Sequence, residues 1–156
     1  MKRIEKLRRH FNANLALQRA TPRSLDDVIR LNRDKASLSL TTPAEILKLE
    51  QSIEFAEAPK DTFRHWHLVT LYMKPFHKVF VIGEADNAET LKTSSDVRAI
   101  DLDKGLVVTR NSLYALDMRS RMAGEPEPLA LWHLQNTFWA WGFGEALGLR
   151  FQGEGQ

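Results

Sequence analysis

The chain has 156 residues, 43% hydrophobic and 27% charged, which is enough material for one soluble core and too little for two independent domains. It contains no cysteine, so disulfide frameworks, thiolate metal sites and cysteine nucleophiles are excluded, and any metal would need histidine and carboxylate ligands. The formal charge of +2 and a pI near 9.0 are too mild to argue for nucleic acid, but cations crowd the first part of the chain and none stands between Met122 and Leu149.

The opening "MKRIEKLRRHF" is charged throughout with no continuous apolar run behind it, so no secretory signal is expected and a cytoplasmic setting is. Ile4, Leu7, Phe11 and Leu15 recur at helical spacing and predict an amphipathic helix over about residues 3–17. Lys2, Arg3, Lys6, Arg8 and Arg9 are candidates for contact with an acidic protein partner or with nucleic-acid phosphates. No helix-turn-helix pattern follows them, and Asp26 and Asp27 stand where a recognition helix would begin. Ser24 reads instead as the cap of a short helix, with those two acids in its first turn. In "TTPAEILKLEQSIEFAEAP", Thr42 caps, Pro43 takes the first helical position and Glu45 completes a capping box. Ile46, Leu49, Ile53 and Ala56 then predict one buried helical stripe, ended by Pro59.

After Asp61 the period changes. "HWHLVTLYM", "HKVFVIGEA", "DVRAID", "LVVTR" and "LYALD" are short, rich in β-branched and aromatic residues and separated by turn residues. They predict an antiparallel meander of four or five strands, either open or a partly closed barrel. In the first of them, alternation turns His65, His67, Val69 and Leu71 to one face and Arg64, Trp66, Leu68, Thr70 and Tyr72 to the other. Trp66 and Tyr72 are then core, and the histidine face is the wetter one. Two imidazoles on one face, with His77 on the next strand and Asp61 or Glu84 as an oxygen donor, supply the donor set of a zinc-type divalent site. His65 and His67 are on that alternative the catalytic residues of a metal-dependent hydrolase. Thr93, Ser94 and Ser95 lie in no nucleophile motif, and no glycine-rich phosphate loop is present.

Glu127 and Pro128 open a last helical segment, where Leu131, Leu134, Phe138 and Trp141 repeat at helical spacing. Polar residues interrupt its apolar run, so it is not expected to span a membrane. Trp132, Phe138, Trp139 and Trp141 make an aromatic face wider than one small sheet needs, and they are the candidate surface for a protein partner or for self-association.

Helices followed by strands followed by a helix predict one α+β domain over residues 1–156: a helical part over about 1–58, a β part over about 64–118 and a C-terminal helix over about 127–148. No stretch identifies an activity. The expectation is a small non-enzymatic binding protein, an accessory, regulator or inhibitor without a cofactor, with the histidine hydrolase as the alternative.

Overall fold

The computed structural model describes residues 2–54, 57–147 and 149. The α+β class is as expected, but the sheet is larger than a meander and mixed in direction. Its central strand, β2 (Thr62–Met73), pairs antiparallel with β3 (Phe76–Ala85), which in turn pairs with a short strand, β4 (Thr90–Thr93). Only the last three of the strands expected in one meander follow one another antiparallel, as β5 (Val97–Asp101), β6 (Leu106–Thr109) and β7 (Leu113–Leu116). It docks on β2 in parallel through Thr62–Ala115 and Phe63–Leu116. The far half of the same β2 edge takes β1 (Ala36–Leu40), antiparallel, inside the region expected to be wholly helical. The sheet runs β4-β3-β2-β7-β6-β5 and does not close into a barrel.

Three helical expectations also change. The N-terminal helix breaks at Asn14 into α1 (Arg3–Ala13) and α2 (Leu15–Ala20), because the Asn14 side chain accepts the Leu17 N–H at 3.0 Å and starts a new helix. Leu15 therefore leaves the buried stripe and is exposed. The capped helix α4 (Pro43–Leu49) has the expected Thr42–Glu45 box, but it stops seven residues in. Gln51 and Ile53 there turn their N–H groups to Ile100 O and the Asp101 carboxylate, both at 2.9 Å, so contacts with β5 replace the next helical turn. Ala56, the last residue of the expected stripe, lies outside the described residues. The C-terminal helix α5 (Pro128–Phe138) runs into a wider π-type turn over Trp139–Phe143, where Gly142 has φ +87°, before a final turn α6 (Gly144–Leu147).

Both faces of β2 and β3 are covered. On one, Val69, Leu71, Phe80 and Ile82 meet Leu38 of β1, Leu25 and Val28 of α3 (Leu25–Val28), and Leu131, Leu134 and Phe138 of α5. On the other, Phe63, Trp66, Leu68, Val79 and Val81 meet Val97, Ile100, Val107, Tyr114 and Leu116 from the curled-over meander, with Ile46 of α4. The histidine-bearing face is thus a second core face, where Val69 and Leu71 are at most 1% exposed, and not the wet side of the sheet. A smaller cluster seats α1 by Ile4 and Phe11 on Leu91, Leu129 and Trp132.

Candidate functional site

A β-bulge sets the geometry of the most chemically equipped cleft. Arg64 pairs with Glu84 and His67 with Ile82, so β2 carries one residue more than β3 over this interval. The extra residue leaves Phe63 and Trp66, three apart, on the same face. His65 takes the left-handed conformation, φ +48°, that a side chain disfavours. Opposite it, Gly83 makes room: a Cβ there would lie 2.9 Å from the Arg64 carbonyl oxygen and 3.0 Å from the Trp66 Cβ. The bulge is pinned on all sides. Arg64 pairs with Asp86 at 2.7 Å and with Asp117 at 2.8 Å, the His65 N–H donates to Ser120 Oγ at 3.0 Å, and the Trp66 indole N–H donates to the Asp117 carbonyl at 2.8 Å.

The result is a cleft of about 410 Å³ bordered by His65 and His67 of β2, Ile82, Gly83 and Glu84 of β3, Arg8 of α1 and the segment from Met122 to Ala130. His65 Nδ1 lies 2.8 Å from Glu84 Oε2, and Arg8 grips both Glu127 oxygens at 2.6 and 2.7 Å while its second nitrogen is 4.0 Å from Glu84. In the tautomer that donates through Nδ1 to Glu84, the other ring nitrogen carries the lone pair that can accept a proton. His67 is 5% exposed and its Nε2 has no partner. Burial pushes the His67 imidazole below its ordinary pKa, against the opposing pull of a hydrogen bond to the Gly124 backbone carbonyl, which accepts, and of Glu125 and Glu127. His67 is therefore a neutral group at pH 7.

His77 does not join them. It sits opposite Tyr72 in the β2–β3 register, roughly 17 Å from His67 at about 3.3 Å per residue, and its Nε2 pairs with Glu45 at 2.9 Å. Asp61 is also committed elsewhere: its carboxylate accepts the N–H groups of Thr62, Asn87 and Ala88 and fixes the β3–β4 turn. Among the described residues no three His, Asp or Glu side chains are placed to hold a metal ion, so the three-histidine zinc arrangement is not formed.

The other expected surfaces divide. Of the α1 cations, Arg8 borders the buried stripe and is drawn into the cleft, whereas Lys2, Arg3, Lys6 and Arg9 are exposed. Trp132 is buried against the Phe11 ring at 6.2 Å and Phe138 is 0% exposed between Phe80 and Phe143, so both belong to the core and not to a partner face. Trp139 and Trp141 remain at the surface, 40% and 41% exposed. The π-type turn moves Trp141 off the Leu131–Leu134–Phe138 stripe, and its ring leans on Phe80 at 5.5 Å and Phe138 at 6.0 Å.

The bulge and the Arg8–Glu84–Glu127 cluster have almost no sequence signal. The exception is Gly83, a lone glycine inside the apolar run "VFVIGEA", which marks a place where backbone passes close to backbone. Comparison with protein families, with curated proteins and with solved structures finds no match for this chain. No helix among the described residues is long and apolar enough to cross a membrane.

Proposed function

We propose that this is a cytoplasmic binding protein, an accessory, regulator or inhibitor, that meets a protein partner or a second copy of itself through Trp139 and Trp141 at the end of α5. The observation that carries this reading is the position of two tryptophans, each about two-fifths exposed, on a helix whose other large apolar side chains are buried. Trp141 is also backed by two rings, so little side-chain freedom is lost when a partner covers it. The exposed Lys2, Arg3, Lys6 and Arg9 give the same protein a cationic helix face for an acidic protein or nucleic acid. Alanine at both Trp139 and Trp141 is expected to lower the mass measured by light scattering, or to release a co-purifying protein, while the chain stays folded by far-ultraviolet dichroism. A wild-type chain that is monomeric and captures nothing would sink the reading. Charge reversal at Lys6 and Arg9 tests the cationic face: weaker oligonucleotide binding with a shallower salt dependence supports it, and unchanged binding removes it.

A second reading is favoured by one specific feature, the strained His65 held on Glu84 beside Arg8. In this reading His65 is a general base for a hydrolysis and Arg8 steadies developing negative charge. A hydrolytic activity with ester or phosphoester substrates that disappears in His65→Gln, and falls in Glu84→Gln, would establish it. Activity unchanged in His65→Gln would end it.

A further inference from the structure

Three arginines from three different segments border one cleft that the histidines do not line. Arg19 lies in the last turn of α2, Arg23 follows Pro22 in the connection to α3, and Arg30 opens the 3₁₀ turn after α3. The cleft they border encloses about 490 Å³, within the size range of small-ligand sites. Its base is rigid: Thr21, Val28 and Gln135 are each no more than 5% exposed, and the Thr21 hydroxyl is tied to the Leu17 carbonyl at 2.7 Å.

The nearby acids do not neutralise these arginines. Asp26 pairs with Arg33 at 2.7 Å, and Asp27, which borders the cleft, accepts the Arg23 backbone N–H at 2.9 Å. Among the described residues no carboxylate forms an ion pair with Arg19, Arg23 or Arg30. Arg19 and Arg30 each stand as a cation in the last turn of a helical element, where a positive charge is favoured; the helix geometry gives no such reason for Arg23. Three like charges gathered around one concave, mostly polar space repel one another, and an anion that sits among them relieves that repulsion. The planar, five-donor guanidinium suits phosphate oxygens in particular.

We infer that the Arg19–Arg23–Arg30 cleft binds a pyrophosphoryl group, whose multiple negative charges match the three guanidiniums less the one carboxylate. No α1 residue and no tryptophan borders this cleft, so the inference stands or falls without them. Titration calorimetry of the full chain with inorganic pyrophosphate at low salt is expected to give saturable binding that weakens as salt is added. An Arg23→Ala, Arg30→Ala double variant should bind at least tenfold more weakly, with lysine at both positions recovering part of the loss and with Lys48→Glu on α4 leaving binding unchanged. Two further titrants separate the sources of the group: affinity for a nucleoside diphosphate but not for its nucleoside marks a small phosphorylated ligand, and affinity for a single-stranded oligonucleotide lost in the same double variant marks a polymer backbone. No saturable heat with pyrophosphate would overturn the inference, as would equal affinity in a folded Arg23→Ala, Arg30→Ala protein or an equal loss in Lys48→Glu.

Discussion

Single residues in this protein work by being forced together. Gly83 is needed because the bulge brings the Arg64 carbonyl within 2.9 Å of where its Cβ would be, and both close contacts are backbone or backbone-adjacent atoms that cannot swing away. Gly83→Ala should cost about 1–3 kcal/mol in denaturant unfolding. His65→Gly should do the opposite, since it removes the strain of φ +48° while losing the half-exposed pair with Glu84. A gain of about 0.5–1 kcal/mol is expected, and a clear loss would show that the pair outweighs the strain. His133 of α5 gives the protein a pH dependence. Burial lowers its pKa from 6.5 to about 4, so the unfolded chain takes up this proton at a pH where the folded one does not. Stability should therefore fall as pH drops from about 6.5 toward 4, then level off as far as this group is concerned. About 2 kcal/mol of that fall lies between pH 7 and pH 5. The depressed pKa of His67 acts in the same direction. Asp101, held low first by the Ile53 N–H and then by that of Lys104, loses its contribution only below its ordinary 3.8, in a separate window. His133→Gln should flatten the urea midpoints measured across pH 5–7, and an unaltered slope would remove His133 as the cause.

Among the elements, those whose stabilisation is local were legible and those made by partners were not. Thr42, Pro43 and Glu45 state where α4 begins, since a capping box is complete within four residues. They say nothing of where it ends, because the backbone of residues 51–53 finds better partners on β5 than in another helical turn. Strand β1, "ASLSL", has serines where strands favour branched side chains, and it exists because five of its residues pair with the second half of β2. The parallel β2–β7 contact is equally silent in sequence, being two residue pairs between segments some fifty positions apart. The five alternating strands, by contrast, stand within a few residues of their expected places. Two things make the histidine face differ from expectation: the inserted residue at the bulge changes the register before His67, and helices cover a face expected to be wet. Asn14 offers a direct test of an element boundary. Its side chain is the cap that separates α2 from α1, so Asn14→Ala should cost about 1 kcal/mol, and Asn14→Asp, which keeps the cap, should cost little. Equal losses in both variants would place the break elsewhere.

At the scale of the whole molecule, the arrangement resembles two half-proteins that share one hairpin. The helical layer built on α3 and α5 uses Val69, Leu71, Phe80 and Ile82, and the curled meander uses Leu68, Val79 and Val81, which alternate with them along the same two strands. Neither layer can lose its partner surface without exposing the back of the other, because a segment of β2 or β3 that leaves the sheet withdraws its alternating side chains from both faces at once. Unfolding is therefore expected as one transition, with far-ultraviolet dichroism and the fluorescence of Trp66 and Trp132 superimposing. The decisive comparison uses one truncation per layer. Leu131 on α5 and Ile100 on β5 are both fully buried, and alanine at either should cost about 2–5 kcal/mol. If the shared hairpin couples the layers, Leu131→Ala and Ile100→Ala each shift both optical signals together and by the same amount. If Ile100→Ala instead opens the meander in a separate early step while the α5 side keeps its midpoint, β2 and β3 do not unite the layers, and the molecule is two folding units joined along a strand.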